Sequence, residues 1–128
     1  MKFKKLSIEG QYLISHKVFK DGRGFFKRSF CLNELKKKKL KFNVKQGNIS
    51  ENFKKGTIRG FHYQKNRSDS KILTCINGSI LNVTIDIRKK SKTFLKITKN
   101  ILNSKNKNSI IFPGGCANLF LTLNNNTI

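Results

Sequence analysis

KILTCINGSILNVTIDIR, residues 71–88, is the stretch that decides the fold class of this chain. Asn77 and Gly78 separate two apolar runs, and both residue types tolerate the positive φ that a type I′ turn requires. The stretch therefore predicts a β-hairpin with arms 71–76 and 79–88. In the second arm apolar and polar residues alternate from Leu81 to Arg88, which is the period-2 pattern of a strand with two different faces.

The polar face of the second arm carries Asn82, Thr84 and Asp86. Two interpretations of this face are open. Either it lines the lumen of a small barrel, where ligand-binding side chains must be polar, or it meets solvent.

Outward from this stretch, short apolar runs separated by turn residues predict further strands. The nine predicted strands cover residues 12–19, 24–30, 41–50, 57–64, 71–76, 79–88, 94–102, 109–113 and 117–123. The lysine run 36–39 follows CLNEL and predicts one short exposed helix. The chain has 128 residues and no linker or repeat, so we expect one all-β domain over residues 1–128, a barrel or a sandwich.

The net charge of +22 is the composition feature that needs an explanation. A basic chain of this kind is typical of nucleic-acid binders. However, 23 of the 28 basic residues are lysines spread along the chain, accompanied by 15 asparagines and 14 isoleucines, whose codons are also rich in A and T. A biased genome therefore explains the charge at least as well as a polyanionic partner does, and we expect a solvated lysine surface.

The three cysteines, Cys31, Cys75 and Cys116, form neither a C-x-x-C pair nor a metal-ligand spacing. We expect reduced, mostly buried thiols and neither a disulfide framework nor a metal site. The basic amino terminus lacks the apolar segment of a secretory signal, and no apolar run is long enough to span a bilayer. A cytoplasmic protein without a membrane partner is the expectation.

GTIRGFHYQ, residues 56–64, holds one of the chain's two histidines. An imidazole is well suited to accept a proton near neutral pH when another group orients it. His62 is therefore a candidate base, and the alternative is a strand histidine hydrogen-bonded in or near the core. His16 lies in LISHKVF without polar company and is expected to be structural.

Six segments in a fixed order resemble those of a known family. They are DGRGFF (21–26), QGNIS (46–50), GTIRGFHYQ (56–64), SKIL (70–73), NVTIDIRKKSKTF (82–94) and IFPGGCANLF (111–120). From about residue 8 to the last strand the chain resembles the dTDP-4-dehydrorhamnose 3,5-epimerase family of nucleotide-sugar enzymes. The resemblance implies a cupin-like β jelly roll, a homodimer, and catalysis without metal or organic cofactor.

The resemblance also implies a reaction. Family members invert carbons 3 and 5 of a 4-keto-6-deoxy sugar carried on dTDP, in the biosynthesis of dTDP-rhamnose and other deoxysugars. Loss of a proton next to the ketone leaves an enolate, so a base is needed beside a cation that holds the developing oxyanion. Carried over by position, His62 resembles the family's base and Lys71 its enolate-stabilising lysine.

The resemblance further assigns residues that grip the nucleotide or the sugar. They are Arg23, Phe26, Gln46, Asn48 and Arg59. Arginine suits such a site because its planar guanidinium meets phosphate oxygens with two parallel hydrogen bonds. Strict alternation along the strand would place Arg59 and His62 on opposite faces, so a bulge near Gly60 or a partner subunit must bring them to one ligand.

The chain departs from the family pattern at three places. Arg28 occupies the position of a ligand-binding glutamate, and Asn118 that of a binding histidine, where it can hydrogen-bond but cannot be a cation. The family continues into a region with the proton-donating tyrosine and an aspartate that orients the base, whereas this sequence ends at Ile128. We therefore expect binding with weak epimerisation. Asp86 is a candidate substitute that orients His62, and the alternative is a salt bridge from Asp86 to a neighbouring lysine.

Two other functions remain as alternatives. One is a non-catalytic jelly-roll module that binds nucleotide sugars. The other is a basic β-barrel that binds nucleic acid through stacking aromatics such as Phe25, Phe26, Phe61 and Tyr63. A metal-dependent cupin oxidase is not supported, because no second histidine stands near Asn118.

Overall fold

The computed structural model describes residues 1–40, 42–65 and 69–128. In this part of the chain it contains ten strands and one short helix. In chain order they are β1 (Lys2–Lys5), β2 (Tyr12–Ser15), β3 (Val18–Asp21), β4 (Gly24–Lys27), α1 (Leu32–Lys37), β5 (Ile58–His62), β6 (Lys71–Thr74), β7 (Ser79–Asp86), β8 (Ile97–Asn103), β9 (Ser109–Phe112) and β10 (Cys116–Thr122).

Eight strands form two antiparallel sheets that face each other. The first sheet has the order β1-β2-β9-β6 and the second the order β5-β10-β7-β8. Buried apolar side chains from both sheets meet between them, among them Ile80, Leu102, Ile110 and Phe112. The remaining strands, β3 and β4, form a separate two-stranded ribbon. The all-β jelly-roll class is thus confirmed.

The predicted hairpin at Asn77-Gly78 is wrong. β6 belongs to the first sheet and β7 to the second, so the turn is a corner between sheets. Of the pair only Gly78 has a positive φ, at 76°. The corner instead binds the end of the chain, because the backbone N–H groups of Ile76 and Asn77 donate to the carbonyl of Ile128 at 2.8 and 3.2 Å. A side chain at position 78 would collide with Thr127, whose Oγ1 lies 2.5 Å from the Cβ site.

Three other strand predictions need correction. The predicted strand 12–19 is divided between β2 and β3, which lie in different sheets. Residues 42–50 of the predicted strand 41–50 form no strand, and Lys41 lies outside the described residues. Strand β1 was missed, because its sequence KFKK has only one apolar residue and so shows no alternation. The predicted helix is present but contains only the first half of the lysine run 36–39, because it ends at Lys37, shortly before Lys39 with its positive φ of 56°.

The polar face of β7 points into the molecule. Ile80, Asn82, Thr84 and Asp86 are buried, whereas the apolar residues between them are only half-buried. Asn82, Thr84 and Asp86 each have a relative exposure of 0%. This face is therefore interior, and the solvent interpretation is wrong.

The outer face of the first sheet is covered by the helix. Leu35 of α1 packs with Ile14 of β2 and Ile111 of β9, and all three are buried. Since Ile111 and Ile110 are neighbours on β9, that strand has apolar side chains on both faces. Burial of each such side chain contributes about 1.5–3 kcal/mol, so the helix is held mainly by packing.

The three thiols are free, with Cys75 and Cys116 buried and Cys31 half-buried. Burial raises the pKa of Cys75, and it raises the pKa of Cys116 to about 11. Neither buried thiol is therefore an activated nucleophile. Among the described residues, no helix has both the length and the apolar character needed to cross a membrane.

Candidate active site

A row of polar side chains crosses the inner face of the second sheet. Cross-strand pairing places His62 of β5 beside Asn118 of β10, Asn118 beside Thr84 of β7, and Thr84 beside Thr98 of β8. Directly opposed residues of antiparallel strands share one face of the sheet, so these side chains lie on the same side. Since Thr84 is buried between the sheets, that side is the interior.

A β-bulge brings Arg59 and His62 to this face together. Asn118 and Phe120 of β10 are two residues apart, but their partners His62 and Arg59 on β5 are three apart. The extra residue on β5 breaks the alternation, and the bulge predicted near Gly60 is confirmed. Gly60 has a φ of 126°, and a Cβ there would lie 2.5 Å from the carbonyl oxygen of Asn118. Only glycine fits at this position.

Lys71 approaches the same interior from the facing sheet. It opens β6 and is paired with Phe112 of β9, whose side chain belongs to the buried cluster between the sheets. Lys71 is half-buried, whereas His62 is exposed. Both residues lie on strands at the edge of their sheets, so a ligand can approach them from outside.

The position of Arg59 is set by a buried asparagine. Its Nε donates to Oδ1 of Asn52 at 2.7 Å. Asn52 has a relative exposure of 4% and forms a bridge with Thr127 in which each backbone N–H donates to the other's carbonyl. Because Nε is held by Asn52, the two terminal nitrogens of the guanidinium are the donors left for a bidentate contact with an anion. Asn52 was not singled out from the sequence, because nothing in ISENF marks an amide as buried.

The predicted nucleotide-binding residues do not all converge within this chain. Arg23 and Phe26 lie on the β3–β4 ribbon, where Arg23 is 91% exposed in its side chain and pairs with Asp21 at 2.6 Å. Phe26 is 71% exposed. Gln46 and Asn48 lie in an exposed loop, where the Gln46 amide donates to Oδ1 of Asn48 at 2.9 Å.

The suggestion that Asp86 orients His62 is not supported, because the carboxylate is fully engaged elsewhere. Arg88 donates to both of its oxygens at 2.8 Å, and the hydroxyls of Ser91 and Thr93 donate to Oδ2 at 2.6 Å. Burial on its own raises the pKa of Asp86, but these hydrogen bonds outweigh it and hold the pKa well below its usual range. Asp86 thus forms a salt bridge, as the alternative expected, but its partner is Arg88 and not a neighbouring lysine.

Two further residues from the sequence have structural roles. Arg28 donates to Oε1 of Glu34 at 3.0 Å, tying the segment after β4 to the helix. His16 shares a hydrogen bond of 2.8 Å with Oγ of Ser109, and burial followed by the charge of Lys27 lowers its pKa. The structural reading of His16 is therefore confirmed.

A family model for dTDP-4-dehydrorhamnose 3,5-epimerase matches residues 5–128. The dTDP-4-dehydrorhamnose 3,5-epimerase of Methanothermobacter thermautotrophicus is 32% identical over 127 residues, covering 99% of this chain and 68% of the relative. That of Salmonella typhimurium is 36% identical over 123 residues, covering 93% and 66%. The chain therefore spans about two thirds of the length of these curated relatives.

Solved structures agree. The crystal structure of the Bacillus anthracis dTDP-4-dehydrorhamnose 3,5-epimerase with TDP and PPi bound matches with a TM-score of 0.92 at 33% identity, covering 98% of this chain and 73% of that one. A Legionella pneumophila epimerase in complex with dTDP-4-keto-L-rhamnose matches with a TM-score of 0.82 at 29% identity, covering 98% and 67%.

Proposed function

Because the chain belongs to the dTDP-4-dehydrorhamnose 3,5-epimerase family, we propose that it is a sugar-nucleotide epimerase of dTDP-rhamnose biosynthesis. Its substrate is dTDP-4-dehydro-6-deoxyglucose, and the reaction begins with removal of a proton next to the C4 ketone. The observation that carries the proposal is the bulge at Gly60, which turns Arg59 and His62 to the interior that Lys71 enters from the other sheet.

His62 is the base in this proposal, and Lys71 stabilises the product of proton removal. The imidazole takes the proton from C3 or C5, and the electron pair left behind moves onto the C4 oxygen as an enolate. The ammonium group of Lys71 then holds the negative oxygen. A proton returned by His62 restores the starting configuration, so inversion requires a second donor, water or another acid, on the opposite face of the carbon. No metal or organic cofactor takes part in these steps.

Arg59 holds the diphosphate in the proposed complex. Support comes from its fixed Nε and from the absence of any carboxylate among its hydrogen-bond partners in the described residues. Asn118 lines the wall beside His62. Gln46 and Asn48 contact the nucleotide from their exposed loop.

A homodimer completes the site in this proposal. Arg23 and Phe26 are on a ribbon that is hydrogen-bonded to neither sheet, so we place them against the substrate of the partner chain. A second support is the outer apolar face of the second sheet, formed by Ile58, Leu81, Val83, Ile85, Ile97, Ile101, Leu119 and Leu121. Ile58, Ile97 and Ile101 are 60, 54 and 54% exposed. An apolar sheet face of this size is best covered by the same face of a second copy. A cytoplasmic location belongs to the proposal as well, supported by the free thiols.

Deuterium exchange tests the enzymatic proposal. The chain is incubated with the 4-keto sugar nucleotide in D2O, and carbons 3 and 5 are followed by NMR. His62→Asn and Lys71→Met should each slow deuterium uptake on the order of a hundredfold or more, because proton transfer and oxyanion stabilisation contribute at least that much. His16→Asn and Lys105→Met are the matched controls, since His16 is bonded to Ser109 and Lys105 is exposed in the turn after β8.

The same spectra report whether the configuration at either carbon changes. Uptake that does not depend on His62 would contradict its role as base. Binding of dTDP with no uptake at all would contradict the enzymatic proposal and leave a nucleotide-sugar-binding module.

A further inference from the structure

Asn118 is the direct cross-strand neighbour of the proposed base. It is paired with His62 in the register of β10 and β5, so the two side chains leave the sheet on the same face, roughly 5 Å apart at their Cβ atoms. The rings and amides of such a pair are within reach of each other after a change of rotamer.

The amide of Asn118 has a fixed orientation. Its Nδ2 donates to Oδ1 of Asn82 and to the backbone carbonyl of Val83, the latter at 3.2 Å. A backbone carbonyl can only accept, so the nitrogen end of the amide must face β7. Asn82 is itself fully buried and donates from Nδ2 to the hydroxyl of Thr84 at 3.1 Å. The Asn118 side chain is thus held by a second buried amide.

This arrangement leaves Asn118 with one free function, its carbonyl oxygen. Within residues 1–40, 42–65 and 69–128, Oδ1 of Asn118 accepts no hydrogen bond, and the ring of His62 makes none. The side chain therefore offers an acceptor to the site. The neighbouring donor is a protonated ring nitrogen of His62, the cross-strand partner of Asn118.

Most of the carboxylates in this sequence are committed elsewhere. Four of the chain's six acidic residues are in ion pairs, with Asp21 bound to Arg23, Glu34 to Arg28, Asp69 to Lys45 and Asp86 to Arg88. Asp86 is the acidic residue on the inner face of β7, and its two oxygens already accept from three side chains.

We propose that Asn118 is the positioning residue for His62. Its Oδ1 accepts a hydrogen bond from one ring N–H of His62, which leaves the lone pair on the other ring nitrogen directed at the substrate carbon. Asn82 acts through Asn118, since it fixes which end of the amide meets the ring. The catalytic meaning of this contact rests on the proposed function, but the contact itself needs only a change of the His62 rotamer and no ligand.

NMR of isotope-labelled histidine tests the proposal. The chain has two histidines, so His16 serves as an internal reference. In the unliganded wild-type protein at neutral pH, the ring shifts of His62 should report a single predominant tautomer. Asn118→Ala should move them toward the tautomer mixture of free histidine, with His16 unchanged, and Asn118→Asp, which keeps an acceptor, should restore one tautomer.

Variants of the neighbouring asparagines separate positioning from general damage. Asn82→Ala should shift His62 as Asn118→Ala does, whereas Asn100→Ala, at the β8 partner of Asn82, should leave His62 as in the wild type. A His62 spectrum that is the same in wild type and in folded Asn118→Ala overturns the proposal. If Asn118→Ala loses binding of hydroxyl-bearing sugars while the His62 tautomer does not change, Oδ1 of Asn118 contacts the substrate rather than His62. That result overturns the proposal too.

Activity gives a second readout. A misplaced base costs up to on the order of a hundredfold in rate, so deuterium uptake should fall in Asn118→Ala and recover in part in Asn118→Asp. If His62 responds as expected but the wild type exchanges no deuterium, the contact stands and the proposed function fails. If the wild type exchanges deuterium and His62 does not respond, only the positioning role fails.

Discussion

At the scale of single residues, burial decides the role of each polar group. Asp86 and His62 are both plausible members of a catalytic pair on the basis of residue type. Asp86 is fully buried and engaged by three side chains, whereas His62 is exposed beside an amide. The carboxylate therefore stabilises the fold, and the imidazole remains available for a substrate.

Asp86→Asn is expected to destabilise the protein by about 3 kcal/mol at neutral pH, because it leaves Arg88 without its buried partner. The depressed pKa sets the direction of the pH dependence. The contribution of Asp86 is fully present above the unfolded-state pKa of about 4 and is lost as pH falls through the lower folded-state pKa. Urea unfolding at pH 7 and at pH 3 measures this, and a gap between wild type and variant that does not narrow in acid would contradict it.

At the scale of elements, the decisive feature is one extra residue in β5. Without it, Arg59 and His62 would face opposite sides of the sheet, and the site would lose either its anion-binding group or its base. Gly60 permits the bulge because its backbone passes so close to Asn118 and Leu119 that no side chain fits. The sequence motif RGFH thus acts through backbone geometry as much as through its side chains.

Gly60→Ala should therefore disturb both stability and the site. Its Cβ would lie 2.5 and 2.8 Å from backbone atoms of Asn118 and Leu119, which cannot move without breaking the sheet. We expect a loss of about 1–3 kcal/mol in urea unfolding and a strong decrease in deuterium uptake. Gly56→Ala is the matched control, since Gly56 also has a positive φ, 84°, but nothing lies within 4 Å of its Cβ site. Equal effects of the two variants would rule out the bulge as the cause.

At the scale of the whole molecule, the second sheet has a partly polar inner face and an apolar outer face, which is the reverse of the usual arrangement in a globular monomer. The second sheet turns amides and hydroxyls inward and isoleucines outward. A lone chain would expose the outer apolar face to water, and the β3–β4 ribbon carries Arg23 and Phe26 away from the interior. The proposed dimer would account for both features at once.

The dimer predicts a clear change in mass. The double variant Ile97→Lys, Ile101→Lys places like charges on both sides of a two-fold interface and should convert a dimer of 14.7 kDa chains to monomer in light scattering after gel filtration. Ile76→Lys is the control, because Ile76 is 64% exposed but lies at the corner between the sheets. A wild-type protein that is already monomeric at high concentration would contradict the interface.

The high positive charge gives a prediction about competing partners. Binding of single-stranded DNA through lysines should weaken by about three to five orders of magnitude between 50 and 200 mM salt if six to ten phosphates are contacted. A bidentate diphosphate site should lose far less. Thermal shifts with dTDP and with DNA over a salt series compare the two, and DNA binding that persists while dTDP has no effect would favour the nucleic-acid alternative.

The sequence by itself predicted most of the strands and the two-faced character of β7, with a bulge near Gly60 as one of two ways to bring Arg59 and His62 to one ligand. These follow from local rules, because alternation and glycine act over a few neighbouring residues, as in SILNVTID and RGFH. The family segments added the candidate residues His62 and Lys71, whose roles remain predictions.

Only the tertiary structure decided which face of β7 is inside, that Asn77-Gly78 is a corner rather than a hairpin, and that Asp86 is committed to Arg88. Each depends on partners far along the chain. The corner is set by Ile128, the inner face by the first sheet, and the free oxygen of Asn118 by Asn82 and Val83 on another strand. Periodicity shows that a strand has two different faces but not which of them is buried, because burial depends on what packs against each face.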